Sequence, residues 1–165
     1  MILQQNGNNM EHVVKELNSI VEEYTGKFNQ FSEAELADKP IPHKWSKKEV
    51  IGHLIDSAQN NLRRFIVCQY ESAPPKIVYE QDFWVEAINY QLISGAEVIN
   101  LWRLVNNQVA NVLSGMHKEF YSKTCNTSKD GEQLRTLEWL AEDYVKHMKH
   151  HLNQVIENSF DIVYP

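Results

Sequence analysis

The sequence predicts an all-α protein, a four-helix bundle with a long crossover connection, and three observations carry that expectation. Glycine and proline together make up 11 of 165 residues, about 6.7%, against roughly 12% in average usage. Apolar residues recur at steps of three and four over four long segments. Serine or threonine heads three of these segments, with a glutamate in the first turn, an arrangement that satisfies the free backbone donors of a helix start. With 42% hydrophobic and 23% charged residues, the chain has enough apolar surface for one domain over residues 1–165.

The first helix runs from about Asn9 to Asn29, with Met10, Val13, Val14, Leu17, Ile20, Tyr24 and Phe28 on one face. Phe31 to Lys44 is a connector, because Pro40 and Pro42 each disfavour helix in the residue before them. The second helix opens at Ser46-Lys47-Lys48-Glu49 and runs to about Glu71. Its apolar stripe is Val50, Leu54, Ala58, Leu62 and Phe65, and His53, Ser57, Asn60 and Arg64 form a polar stripe beside it.

Ser72 to Ile93 reads as the crossover, with Pro74 and Pro75 at its head and a short helical turn around Asp82 to Asn89. Ser94-Gly95-Ala96-Glu97 starts the third helix, whose period of Val98, Leu101, Val105, Val109, Val112, Leu113 and Met116 ends at Gly115. Met116 to Arg135 is polar and turn-rich. Thr136 caps the last helix, which continues to about Asn158, and only the tail Asp161-Ile162-Val163-Tyr164 has the alternation of a strand.

Sixteen basic side chains against 22 acidic ones leave a net charge of −6, a poor footprint for nucleic acid or an anionic membrane. Cys68 and Cys125 lie 57 residues apart, neither a disulfide framework nor a CxxC pair, and core packing is the expected use of Cys68. The opening MILQQNGNNMEH lacks the basic and apolar stretches of a signal peptide, and no apolar run approaches the roughly 18 residues of a membrane span. A cytoplasmic protein is expected. Without GxSxG, a glycine-rich phosphate loop or HExxH, nucleophilic-serine and nucleotide-binding chemistry drop out.

Histidine is the unusual residue, seven in the chain. On the last helix the core-facing steps are Leu137, Leu140, Ala141 and Tyr144, then His147, His151 and Val155. Residues i and i+4 share a helical face about 5–6 Å apart, so His147-x-x-x-His151 can present two imidazoles to one ion. His53, in the polar stripe of the second helix, is the natural third ligand. Asp56 stands near His53, Asp143 one turn before His147 and Gln154 three residues after His151; any of them could orient an imidazole. Asp56 and Asp143 are also the candidate catalytic carboxylates. His150 is rotated about 100° from His151 and stays outside the set. Unpartnered buried imidazoles would cost about 1–3 kcal/mol each, so the alternative to a metal is a hydrogen-bonded network using Tyr144 and Asp143.

The stretch from Pro42 to Ser57, PHKWSKKEVIGHLIDS, resembles the P-x-K-W-S-x-x-E-x-x-x-H-L-x-D opening of the second helix in DinB/YfiT-like proteins. His147-Met148-Lys149-His150-His151-Leu152-Asn153-Gln154 resembles that family's closing H-x-x-H-H-x-x-Q segment, and Asp82-Phe83-Trp84 to Tyr90 with Arg103 match more loosely. The resemblance implies a four-helix bundle with a long crossover and a divalent-metal site, zinc or nickel, on His53, His147 and His151. It also implies a small-molecule substrate, and often a homodimer. The leading expectation is a thiol-dependent S-transferase of detoxification or stress response that takes a low-molecular-weight thiol as co-substrate, since coordination lowers a thiol's pKa. The alternatives are a metal-dependent hydrolase using metal-bound water and a non-catalytic, metal-stabilised helical interaction module.

Overall fold

The computed structural model describes residues 9–165. Its helices are α1 (Asn9–Phe28), α2 (Glu33–Ala37), α3 (Lys47–Tyr70), α4 (Gln81–Ile88), α5 (Gly95–Gly115) and α6 (Leu137–Val155). The four long ones begin and end close to the expected places; α6 stops at Val155, three residues before Asn158. None of the helices among the described residues is long and apolar enough to cross a membrane.

Local chemistry sets the helix starts. Ser46 and Glu49 cap α3 reciprocally, the Ser46 N–H donating to Glu49 Oε2 at 2.7 Å and the Glu49 N–H donating to Ser46 Oγ at 3.1 Å. Ser32 and Glu35 repeat this pattern at α2, a helix inside the expected connector. Thr136 Oγ1 accepts from the Trp139 N–H at 3.1 Å to start α6. Satisfying these orphan donors stabilises each start by about 1 kcal/mol.

The long helices are not arranged in simple sequence order. α1 packs against α5 and α6, and α3 packs against the same two, so α1 and α3 stand on one diagonal and α5 and α6 on the other. Such an order needs long connections. The crossover supplies one of them and is held by two cations of α3, one buried and one half-buried. Lys48, 2% exposed, pairs with Glu33 and donates to the carbonyls of Gln91 at 3.2 Å and Ile93 at 3.0 Å. Arg64 clamps the carbonyl of Ile77 through Nε at 3.1 Å and Nη2 at 2.9 Å.

Two differences from expectation concern strands. The connector after α5 holds an antiparallel hairpin, β1 (Thr124–Asn126) and β2 (Leu134–Thr136), with Cys125 opposite Arg135. Three-residue strands are too short to show an alternating pattern. The tail Asp161–Tyr164 forms no strand. It is instead anchored at Phe160, whose backbone is bracketed by the Asn153 amide at 3.0 and 2.9 Å and whose ring stacks on Tyr24.

Candidate metal centre

Of the polar stripe of α3, His53, Ser57 and Asn60 are buried and Arg64 is half-buried. His53 is fully buried, Ser57 2% exposed and Asn60 6% exposed. His53 and Ser57 face α6, where both approach the His147 imidazole, while Asn60 donates to the Asp56 carbonyl one turn back on α3 and Arg64 to the Ile77 carbonyl of the crossover.

On α6 the fully buried row is Leu137, Leu140, Ala141, Tyr144, Val145, Met148, Leu152 and Val155. His147 and His151 are half-buried on the flank of that row, turned toward α3. The expectation that they occupy leucine steps is thereby corrected: Met148 and Leu152 fill the core, and the histidines line its edge.

His53, His147 and His151 converge, and one ring nitrogen from each lies within 4.8 Å of the other two. His53 Nε2 and His147 Nε2 are 3.3 Å apart. Two nitrogens each about 2.05 Å from one tetrahedral ion are separated by about 3.3 Å, so this spacing fits a single divalent cation. The outer nitrogens of the α6 pair have polar partners. His151 Nδ1 donates to Gln154 Oε1 at 3.1 Å, and His147 Nδ1 lies 3.4 Å from Ser57 Oγ. The Gln154 oxygen can only accept, so His151 keeps its proton on Nδ1 and leaves an Nε2 lone pair. His53 Nδ1 is buried with no hydrogen-bond partner, and its ring packs on Trp45 with centroids 5.0 Å apart.

Burial keeps these imidazoles unprotonated. Desolvation, assisted by His151, pushes the His53 pKa down to about 3. His147 lies well below the ordinary 6.5 through burial and the other histidines, and His151 is lowered chiefly by burial. Neutral imidazoles near pH 7 are what a metal ligand requires.

The two carboxylates take partners other than the imidazoles. Asp56, fully buried, accepts from the Tyr90 hydroxyl at 2.6 Å, and its second oxygen has no partner. Desolvation, partly offset by Tyr90, pushes its pKa up to about 6. Asp143 accepts from the Tyr164 hydroxyl at 3.2 Å, and its pKa is likewise raised by burial. The expected network through Tyr144 does not form, since that hydroxyl donates to Asn106. Gln154 alone takes the orienting position read from the sequence.

One neighbour had no sequence signal. Tyr164 reaches back from the tail to lie 5.6 Å from the His147 ring and 5.5 Å from His150, centroid to centroid. Tyr79 lines a pocket of about 340 Å³ with Arg64, Gln81 and Asp82. A larger cavity of about 610 Å³, bounded by Met10, Leu113, His117 and Tyr121, contains none of the three histidines. Trp45 was visible only as part of a motif, and the structure explains it as the wall against His53.

A bundle that turns three neutral imidazoles from two facing helices toward one point defines a class, a helical protein with a site fitted to a divalent metal. Residues 3–155 match the DinB superfamily, and the chain belongs to that superfamily. Provisionally named metal-dependent hydrolases of Bacillus cereus (strain 03BB102) and Bacillus thuringiensis subsp. konkukian (strain 97-27) are each 25% identical over 119 residues, 72% of this chain and 68% of the relative. YfiT from Bacillus subtilis, described as "a probable metal-dependent hydrolase with an unusual four-helix bundle topology", superposes with a TM-score of 0.82 at 18% identity, over 95% of this chain and 89% of its own. That likeness establishes the shared fold.

Proposed function

We propose that this chain is a metal-dependent hydrolase in which His53, His147 and His151 hold one divalent ion, zinc or nickel, and the substrate is a small ester or amide. The observation that carries the reading is the 3.3 Å approach of two imidazole nitrogens from facing helices, with the third within 4.8 Å. The names of the Bacillus relatives point the same way. They move hydrolysis ahead of the thiol-dependent transfer expected from the sequence.

An ion held there supplies a Lewis acid and acidifies water near neutral pH. The protein's own contribution is to present three lone pairs without first expelling protons, because burial has already neutralised the imidazoles. Gln154 and Ser57 keep the α6 rings from rotating. Trp45 covers one face of His53 and excludes water from it.

Asp56 and Asp143 are the proton carriers in this reading. Burial raises the Asp56 carboxyl to about 6, close to neutral pH, where both its acid and its base form are populated. The Tyr90 hydroxyl holds Asp56 Oδ1 and leaves Oδ2 as the proton-bearing oxygen. The Tyr164 hydroxyl holds Asp143 in the same manner.

A panel of ester and amide substrates, assayed with metal and with or without added low-molecular-weight thiol, tests the proposal. Thiol-independent turnover that is lost in the His147→Ala/His151→Ala variant supports hydrolysis. Turnover of an electrophile only when thiol is present overturns it in favour of transfer. A metal that raises thermal stability while no member of the panel turns over favours the interaction module.

A further inference from the structure

Beyond α6 the chain turns back toward the metal centre. Asn158 takes a left-handed backbone, φ 59°, a conformation that asparagine tolerates better than most side chains, and the Ser159 hydroxyl donates to the Ile156 carbonyl at 2.7 Å. The reversed chain is then fastened at Phe160. The Asn153 side chain donates to its carbonyl at 3.0 Å and accepts from its N–H at 2.9 Å, and the Phe160 ring stacks on the buried Tyr24 with centroids 5.5 Å apart.

Past this anchor the hold is lighter. Asp161 and Val163 are exposed, Val163 by 96%, and among the described residues the next hydrogen bond to the body is at Tyr164, whose hydroxyl donates to Asp143 Oδ2 at 3.2 Å. The Tyr164 ring lies 5.6 Å from the His147 ring and 5.5 Å from the His150 ring, centroid to centroid. His53 is fully buried and backed by Trp45, whereas His147 and His151 are half-buried. A small molecule therefore approaches the centre over the α6 histidines, and Tyr164 stands on that side. One hydrogen bond and its ring contacts hold the end of the tail, and release returns backbone entropy to the residues from Asp161 on. Such a segment opens far more easily than the helices beneath it.

We propose that the tail from Asp161 to Pro165 is a strap over the metal centre, anchored at Phe160 and latched by Tyr164, and that a small molecule reaches His147 when the latch opens. Its purpose rests on the proposed metal centre; its geometry does not. Closed, the Tyr164 ring shields the edge of His147 and its hydroxyl occupies one oxygen of Asp143. Open, the same motion uncovers the imidazole and frees the carboxylate.

Diethyl pyrocarbonate, a small acylating agent that modifies neutral imidazole, tests this on the full, metal-free chain at pH 7, with the modified histidines identified by peptide mass. Wild type is modified more slowly at His147 and His150 than at the exposed His12 and His43. Tyr164→Phe keeps the ring and loses the latch, so His147 and His150 are modified roughly fivefold faster, the shift expected of one hydrogen bond. Tyr164→Ala is faster still at both, and His12 and His43 are unchanged in either variant. Wild-type His147 as reactive as His12, a Tyr164→Ala rate at His147 equal to that of wild type, or a rise shared by all four histidines overturns the strap. Should Tyr164→Ala fail to fold, Tyr164→Phe decides. With no metal in the assay, the result is independent of the three-histidine centre: a chain that takes up no ion and still shows this protection upholds the strap while contradicting the metal centre.

Discussion

Gly52 is the position where a single added carbon tests the packing behind the site. An alanine Cβ there would stand 2.2 Å from Cδ2 and 2.4 Å from Cε2 and Cγ of the Tyr90 ring. Ordinary contact begins near 3.4 Å, so the ring would have to retreat by 1.2 Å, the difference between 3.4 and 2.2. It has nowhere to go: Tyr90 is 1% exposed, and its hydroxyl is tied to Asp56 at 2.6 Å. Overpacking costs about 1–3 kcal/mol and loss of the buried hydrogen bond about 1–3 kcal/mol, while alanine regains about 1 kcal/mol of helix propensity. Gly52→Ala is therefore destabilised by about 3 kcal/mol net. At this chain length that lowers the unfolding midpoint by about 9 °C. Gly26, also helical, has nothing within 4 Å of its virtual Cβ, so Gly26→Ala gains about 0.5–1 kcal/mol. Thermal unfolding of both variants in chelator measures the contrast without a metal contribution. A Gly52→Ala midpoint within about 2 °C of wild type, or above it, would refute the packing argument.

Asp56→Asn probes the buried carboxyl by its pH dependence. With its pKa raised from 3.8 to about 6, the native state binds more protons than the unfolded chain between those values. Stability falls as pH rises through that window and levels off above it. The variant lacks this loss, so its advantage over wild type grows from about pH 4 to pH 6, toward a ceiling on the order of 3 kcal/mol; urea unfolding at pH 4, 5, 6 and 7 showing a constant difference would exclude it. His53 acts in the opposite sense. Held at about 3 against an ordinary 6.5, it makes the metal-free protein less stable as pH drops below about 6.5, because only the unfolded imidazole takes up a proton. Arg64→Ala leaves the Ile77 carbonyl without its two guanidinium donors and costs about 2 kcal/mol. Limited proteolysis should then nick the crossover between Ser72 and Glu80, and an unchanged cleavage pattern would show that the clamp is not what holds it.

What the sequence revealed was local. Ser46 with Glu49 and Thr136 ahead of Trp139 announce helix starts because capping is settled within four residues. The spacing of His147 and His151 announces a shared face for the same reason. The diagonal placement of α1 and α3 had no such signal, since it depends on which apolar stripes meet across the whole bundle. Nor did the partners of the buried acids. Asp56 binds Tyr90, 34 residues away, and Asp143 binds Tyr164, 21 residues away, through a crossover and a tail whose paths the periodicity does not define. The two histidines of α6 sit one row aside from their expected place because a 3.6-residue period leaves neighbouring rows of an amphipathic face hard to tell apart until Met148 and Leu152 are seen filling the core.

The account stands on three imidazoles sharing one ion, and metal stoichiometry tests that most directly. Protein incubated with zinc or nickel, passed through gel filtration and analysed for metal should carry one ion per chain. His147→Ala/His151→Ala, with only His53 left of the three, should carry almost none. Wild type that retains no divalent metal, or a double variant that retains a full complement, would contradict it.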